Sequence, residues 1–381
     1  MMTMTATVTP AVRLLAGYHE LGRAAGLRDH LARYGSIPLP GEQLIHDIGR
    51  AGLTARDGGG VPVARTLRAV ASSGRTAAVV VEATDRDQAG GKDRMLLTIA
   101  PHLVLDGAAL AARAVDAEEI VVHAHPGEEP TAAVAQRDHA RLAGAPIRIT
   151  HPGGEETAPA PYVAGGRKRV VLDAETCAHI AVIARYGPEW FRACGSEEAP
   201  GTALFTVSGA VVRPSLVEAP TGTSVGALLR MAGGPSEPVQ AILTGGYGGT
   251  WLPPALLEVP ATPSLFARTG VTLGSGIVFA LPARVCGLAE SARILSWHAG
   301  RNTRPCDSGL RAIAEDFTAL AAGAEEVRPR LDDRLSALTG QDACQHAAGP
   351  VRLAISALRV FGPHLELHRR AGCPAVPPTG H

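Results

Sequence analysis

The sequence predicts an α/β protein in three parts: a parallel α/β domain, a small α+β module of β-grasp character, and a C-terminal bundle of four helices. Three observations predict it. Apolar runs of strand length alternate with helix-period stretches from about residue 46 to 200. Short strands around one capped helix follow to about 285. From Cys286 onward only helical patterns with proline near their starts occur.

Taken in order, residues 1–45 read as a loosely attached lead-in with one helical stretch around Leu21–Tyr34, closed by the Ile37-Pro38-Leu39-Pro40 turn. Thr76–Ala83 (TAAVVVEA) is a continuous apolar run, the signature of a strand buried on both faces. His102–Val115 is helical in period, with Leu103, Gly107, Leu110 and Ala114 on one face. Glu119–Ala124 is a second strand, Thr131–Ala143 a second helix and Pro146–Thr150 a third strand. Such alternation implies a mostly parallel sheet with helices on both sides, and its ligands sit beyond the carboxyl ends of the strands.

From about 203 the pattern shortens. Ala203–Gly209, Leu216–Glu218, Val239–Leu243 and Gly276–Leu281 read as strands, and Thr223 caps a helix that runs to Met231 and ends at Gly233-Gly234. Beyond Cys286, Pro305, Pro329 and Pro350 each stand near a helix start, where a missing N–H costs nothing. Leu310, Ile313, Ala314, Phe317 and Leu320 form one apolar stripe, and Val351, Ala354, Ile355 and Leu358 another. The boundaries this implies are 1–45, 46–202, 203–285 and 286–372.

Composition narrows the functional classes. The chain has 381 residues, 46% of them apolar, and its 36 Lys+Arg balance 36 Asp+Glu. A net charge of zero gives no general drive toward nucleic acid or an anionic membrane. Lys92 and Lys168 are the only lysines, which fits a GC-rich coding sequence rather than a function. No stretch reaches the roughly 18–20 uninterrupted apolar residues of a membrane span; Met95–Val115 is broken by His102, Asp106 and Arg113. Met1–Leu15 has no basic region leading into a long apolar run, so no signal peptide is expected. The six cysteines (177, 194, 286, 306, 344 and 373) are scattered, which argues against a disulfide framework or a zinc ribbon. The cytoplasm is the expected compartment.

Three stretches carry chemistry. Arg56-Asp57-Gly58-Gly59-Gly60-Val61-Pro62 places a glycine triplet just ahead of a helix, where bare backbone N–H groups can meet an anion; a flexible turn is the alternative. Glu82–Arg94 (EATDRDQAGGKDR) follows the first buried strand with four acids and a Lys-Asp-Arg triplet. Gly153-Gly154-Glu155-Glu156-Thr157 follows the third strand, and its paired glutamates suit ribose hydroxyls or a nicotinamide amide. A solvated charged loop is the competing account of each, but two such loops at neighbouring strand ends favour a site. The histidines His123, His125 and His151, and separately His364 and His368, have metal-compatible spacing. Strand-end and surface histidines are commoner, and no metal is expected there. Tyr247 and Trp251 in the GGYGGTW turn read as packing residues.

In this order, the stretches resemble the NADH-oxidising flavoprotein subunit of bacterial respiratory complex I and its relatives in NAD-dependent hydrogenases and formate dehydrogenases. The resemblance runs from about residue 46 to 362. The family's G-R-G-G-A-G-F-P-T-G is similar to Ala55–Ala64, its N-A-D-E-x-E-P-G-T-x-K-D-R to Glu82–Arg94, and its D-P-H-L-x-x-x-G to Ala100–Gly107. Its C-G-E-E-T-A matches Gly153–Ala158 and its N-N-V-E-T matches Leu172–Thr176. Gly187–Arg192 (GPEWFR), Pro200–Thr202, Phe205–Gly209 and Leu273–Ser275 then follow in family order.

The resemblance implies a flavin-binding α/β domain, a β-grasp domain of SLBB type, and a helical bundle that carries a 4Fe–4S cluster in the family. It implies FMN and NAD(H) as cofactors and a ferredoxin-like or other redox subunit as partner. By position, Arg56, Gly58, Gly59 and Gly60 hold the flavin, while Asp85, Asp87, Lys92, Glu155 and Glu156 form the rest of the cofactor site. The departures are as informative. Of the four cluster ligands of the family, only Cys306 and Cys344 remain as remnants, with Gly300 and Thr303 in the other places, so the cluster is expected to be absent. At the flavin, Glu82, Thr84, Leu172 and Asp173 replace the family's Asn and Asp residues, and Thr66 its lysine, with Arg65 or Arg68 as substitutes. Glu82 and Asp173 bring negative charge toward a phosphate, at about 1–3 kcal/mol each if partly buried. Val61 forfeits about 1 kcal/mol of aromatic stacking. The expected function is therefore electron transfer from NADH through FMN to a partner with a degenerate cluster site. The alternative is a catalytically inactive relative kept as a binding or assembly module.

Overall fold

In a computed structural model, the described residues are 5–7, 13–16, 18, 25–37, 43–72, 76–85, 87–140, 142, 144–151, 169–262, 264, 271, 273–300, 307–339 and 347–371. The chain divides into two compact units, one of 1–205 with 216–223, the other of 206–215 with 224–381.

The first unit opens with β1 (Thr5–Thr7), α1 (Leu27–Tyr34), α2 (Leu44–Ala51) and α3 (Val63–Ala71). It continues through β2 (Thr76–Glu82), α4 (Lys92–Ile99), α5 (Pro101–Ala114), β3 (Ala117–His123), α6 (Thr131–His139), β4 (Ile147–Thr150), β5 (Arg169–Asp173) and α7 (Ala174–Arg192). The lead-in is bound firmly. Leu14, Leu15 and Tyr18 are buried, and the backbone N–H groups of Arg13, Leu14 and Leu15 donate to the fully buried Glu218 carboxylate at 2.9–3.0 Å. Three peptide donors on one desolvated carboxylate form a strong anchor, one that spans some 200 residues of sequence. The helix expected at Leu21–Tyr34 begins at Leu27; residues 21–24 lie outside the described set.

β2, β3, β4 and β5 form an all-parallel sheet in the order β4-β3-β2-β5. Val79, Val81, Ile120, Val122, Val170 and Leu172 point to one face and join the apolar sides of α1 to α7 in a single core. Ala78, Val80 and Val121 form a smaller buried cluster on the other face. Helices on both sides were expected; the described helices pack their cores on one side, since β2→β3 and β3→β4 step across the sheet in the same direction, which sends right-handed crossovers to the same face. α5 and α7 approach closely: a Cβ on Gly107 would lie 1.7 Å from the Cys177 carbonyl oxygen. Only glycine permits that spacing.

The second unit is built on a mixed sheet. β6 (Thr202–Gly209) runs on into it, and of β7 (Ser215–Pro220) only Ser215 belongs to it. Within the second unit β10 (Ile277–Pro282) pairs parallel with Thr206–Gly209 of β6 and antiparallel with β8 (Val239–Thr244), which pairs antiparallel with β9 (Thr250–Leu252). α8 (Val225–Met231) is capped by the Ser224 hydroxyl, which accepts from Ala227 N–H at 3.2 Å. The expected cap, Thr223, instead donates to the Pro220 carbonyl at 2.6 Å. Gly233 and Gly234 follow with positive φ, as a helix stop requires.

Four helices complete this unit: α9 (Gly287–Gly300), α10 (Asp307–Ala321), α11 (Arg328–Ala337) and α12 (Ala348–Ala371). The Leu310–Leu320 stripe is buried throughout. In α12 Val351, Ala354 and Leu358 of the expected stripe are buried together with Leu353, Ala357 and Phe361, whereas Ile355 is 47% exposed. Trp251 is sealed against Phe361 edge to face at 5.2 Å, and its backbone N–H donates to Ser356 Oγ at 2.9 Å. Tyr247 meets Trp297 edge to face at 5.0 Å. Both aromatics are packing residues. Among the described residues no single helix is long and apolar enough to cross a membrane; the pair α4–α5 passes by length and composition, but it is bent by 102° and α5 is buried in the core of its unit.

Candidate functional site at the carboxyl edge of the parallel sheet

In the order β4-β3-β2-β5 the chain steps outward from β2 on one side and returns to β2's other side as β5. The crevice between the carboxyl ends of β2 and β5 is thus the topological switch point, the place where open α/β sheets bind ligands. Glu82 and Asp173 stand opposite each other there.

Asp173 ends β5 and caps α7 with no intervening turn. Its Oδ1 accepts from Thr176 N–H at 2.8 Å and its Oδ2 from the Thr176 hydroxyl at 2.5 Å. The Arg56 N–H donates to Asp173 Oδ2 at 3.1 Å and to Thr176 Oγ1 at 3.0 Å. These bonds moor the glycine loop to the end of β5. They also absorb the negative charge anticipated at this position, since the helix N-terminus takes it.

Beneath lies a buried network. Lys92, the first residue of α4, is 2% exposed. Its Nζ is 2.8 Å from Asp93 Oδ2, 2.9 Å from Glu175 Oε2 and 3.7 Å from Asp173 Oδ1. Burial alone would depress the ammonium, but Asp93, Glu175 and Asp173 outweigh it and hold its pKa well above the ordinary value. Glu175 accepts from Leu204 N–H at 2.9 Å. Burial resists its ionisation, yet Lys92, His179 and Arg56 prevail and bring it to about 2. Asp93, whose Oδ1 accepts from Glu175 N–H at 2.9 Å, goes the other way: burial pushes it well up, only partly opposed by Lys92. Lys92 and Arg56 thus face four carboxylates, counting Asp85.

The residues singled out in the sequence are distributed as follows. The Arg56 guanidinium turns inward, donating to the carbonyls of Pro200 and Thr202 at 3.2 and 3.1 Å, with Glu175 at 4.0 Å. Lys92 is enclosed as described. Asp85, at φ +46°, accepts from Asp93 and Arg94 N–H at 3.2 and 2.8 Å and so caps α4; burial raises its pKa against those donors. Asp87 closes a small turn through Ala89 N–H at 3.0 Å. Gly58, Gly59 and Gly60 lie exposed at the tip of a loop closed by Ala55 N–H to Val61 O at 2.8 Å. Gly58 and Gly60 have φ of +96° and +61°, and a Cβ on Gly60 would meet nothing within 4 Å. Asp57 Oδ1 accepts from Gly59 N–H at 2.8 Å. Glu155, Glu156, Cys306 and Cys344 lie outside the described residues.

At the crevice rim Glu82 Oε1 accepts from the Thr84 hydroxyl at 2.5 Å, its Oε2 faces His123 Nδ1 at 3.4 Å, and His125 Nε2 meets the Thr84 carbonyl at 3.0 Å. His151 Nδ1 meets Ala124 O at 3.0 Å. Each of these histidines is taken up by a strand end, and among the described residues no group of three or more His, Cys, Asp or Glu could hold a metal ion. Sequence reasoning gave Glu175 and His179 no role, although Asp173-Ala174-Glu175-Thr176 reads as a helix cap ahead of an apolar run.

Comparison with known proteins relates the chain to two domain families. Residues 48–176 match the Nuo51 FMN-binding domain and residues 204–250 the SLBB domain. The chain is 28% identical over 417 residues to an F-type subunit of NADH-quinone oxidoreductase in Rhizobium meliloti (strain 1021), covering 96% of this chain and 97% of that one. It is 27% identical over 387 residues to the corresponding subunit of the Escherichia coli (strain K12) oxidoreductase, covering 88% and 86%. Two crystal structures of NAD+-reducing NiFe hydrogenase share the fold. The H2-reduced one has a TM-score of 0.76 at 23% identity over 87% of this chain, which spans only 63% of the hydrogenase chain. The air-oxidized one has a TM-score of 0.81 at 22% identity over 100% of this chain and 70% of that one.

Proposed function

The chain is a diverged relative of the 51 kDa-type, NADH-binding flavoprotein subunit of NADH:quinone oxidoreductase, and from that premise we propose that it oxidises NADH through FMN and passes the electrons to a partner protein. One juxtaposition supports the reading: the open glycine loop is moored by Arg56 N–H to Asp173 at the switch point of a parallel sheet.

The loop fits a flavin phosphate in its backbone. Gly58 and Gly60 hold left-handed conformations with free space beside Gly60, and α3 starts three residues later, so the positive end of its dipole lies beside the loop. Arg65, exposed in the first turn of α3, is the cation placed to assist, since Arg56 and Lys92 are engaged elsewhere. When bound, FMN supplies the change from two-electron to one-electron transfer. The protein does the positioning. The Lys92 network fixes the crevice floor by tying α4, β5 and α7 together; Asp85 sets the start of α4; Asp87, Glu155 and Glu156 orient the nicotinamide nucleotide. With Gly300 and Thr303 in place of ligands, the bundle lacks two of the donors a 4Fe–4S cluster needs, so an FMN held at the crevice would supply electrons to a ferredoxin-like subunit without one. The compartment proposed is the cytoplasm.

The inward turn of Arg56 and Lys92 favours a second reading, a non-catalytic binding or assembly module. The visible spectrum of the purified chain after incubation with FMN, with an iron assay and NADH-dependent reduction of an artificial acceptor, decides between them. A bound flavin reduced by NADH in an iron-free protein supports the first. A colourless protein that still co-purifies with a redox subunit supports the second.

A further inference from the structure

In the helical bundle, far in sequence from the crevice residues, the second unit holds a thiol and an imidazole in contact. Cys286 directly precedes α9, and its Sγ accepts from Ala289 N–H at 3.4 Å. His368, on α12, places Nε2 3.5 Å from that sulfur. Its other nitrogen, Nδ1, lies 2.7 Å from the Ala321 carbonyl oxygen at the end of α10. A carbonyl oxygen only accepts, so Nδ1 carries a hydrogen, and in the neutral ring Nε2 is then the bare nitrogen facing the thiol. Three elements thus converge: an orienting carbonyl fixes the tautomer, the imidazole is aimed at the S–H, and a helix-start N–H points at the sulfur to support negative charge. Both side chains are 5% exposed, so large reagents are shut out.

We propose that Cys286 and His368 form a peroxide-reactive thiol site, in which His368 is the base and Cys286 the nucleophile. The thiol proton passes to His368 Nε2, the sulfur attacks one oxygen of a hydroperoxide, and an S–O bond forms as the O–O bond breaks. The departing hydroxide takes the proton from His368 and leaves as water; sulfur is oxidised by two electrons and the peroxide reduced by two. The product is a sulfenic acid at Cys286. Neither flavin nor NADH takes part, so the site stands whether or not the proposed oxidoreductase activity does.

The test uses the full chain, with hydrogen peroxide as the probe at pH 7. Timed samples are quenched into denaturant containing a sulfenic-acid-trapping 1,3-dione, and each cysteine peptide is read by mass. Cys194, half-buried and with no histidine partner among the described residues, is the internal reference. Trapping at Cys286 is expected at least tenfold faster than at Cys194, and His368→Gln, which can still donate to Ala321 O, is expected to lower the Cys286 rate about tenfold without moving Cys194. A Cys286 rate at or below that of Cys194 in the unaltered chain overturns the proposal, and so does a folded His368→Gln protein with an unchanged rate. If His368→Gln fails to fold, the comparison within the unaltered chain decides alone.

Discussion

The ammonium of Lys92 lies 2.9 Å from the Glu175 carboxylate, with both side chains all but sealed from solvent. An ion pair in that setting is costly to assemble and costlier to break, because removing one partner strands the other without water. Lys92→Met would leave Asp93, Asp173 and Glu175 facing one another, with Arg56 and His179 beside Glu175. A loss of about 3–5 kcal/mol is expected, read as a lower denaturant midpoint at unchanged slope. The exposed pair Arg230–Glu258 is the contrast: Glu258→Gln should leave the midpoint where it is.

Acid should unfold the protein in two stages. Burial lowers His102 from 6.5 to about 4, so below pH 6.5 the unfolded chain takes up a proton that the folded one refuses. Stability therefore declines from about pH 6.5 to 4 and that contribution then levels off. Asp106 behaves oppositely in sign. Burial opposes its charge, but His30 at 2.7 Å, Arg137 at 2.5 Å and Arg185 outweigh it and lower its pKa from 3.8 to about 2. Its contribution, about 2 kcal/mol, is complete above pH 4 and lost as the pH falls toward 2, the window in which Glu175 titrates too. Denaturant midpoints measured across pH 2–7 should show both declines, and Asp106→Asn should flatten the lower one while reducing stability at pH 7.

How much of this was legible depends on how local the signal is. β2 declared itself because Val79, Val80 and Val81 are buried on alternating faces, which leaves no polar residue to break the run. The crevice was legible as a place, since strand-end loops rich in charge follow from the α/β alternation. Its interior was not. Lys92 and Glu175 are 83 positions apart, and nothing in either local sequence says that the lysine turns inward. The same holds for Cys286 and His368, 82 positions apart. β5 and α7 escaped because Asp173 joins strand to helix without a turn residue. Thr223 and Ser224 are adjacent hydroxyls, and only the backbone angle decides which one caps. Ile355 fits an apolar stripe by period, but α12 buries the neighbouring face through Leu353, Ala357 and Phe361.

The contact between α5 and α7 rests on one missing methyl group. Gly107 abuts the Cys177 carbonyl so closely that a Cβ would sit 1.7 Å from the oxygen, and the atoms it would meet are all backbone, which cannot turn aside as a side chain can. Gly107→Ala must push the helices apart and disturb the core formed by Leu103, Leu110 and Ile180. A loss of about 3 kcal/mol is expected from this overpacking, seen as a drop in Tm, whereas Gly60→Ala, with open space around it, should cost only the left-handed strain of about 1 kcal/mol.

Asp57 is the residue that most directly tunes the glycine loop. Its carboxylate accepts the Gly59 N–H at 2.8 Å, so it occupies a donor that a flavin phosphate would use, and it adds a like charge beside that phosphate. Asp57→Ala frees the donor and removes the charge. At the surface such a charge is worth about 1 kcal/mol, which predicts FMN binding tighter by about fivefold in the variant. Riboflavin, which lacks the phosphate, should bind the two proteins equally, and the FMN gain should shrink as salt is raised. Quenching of flavin fluorescence on titration with protein measures all three. An equal gain for riboflavin would place the phosphate elsewhere than the loop, and no gain for either would mean that Asp57 does not compete for the site.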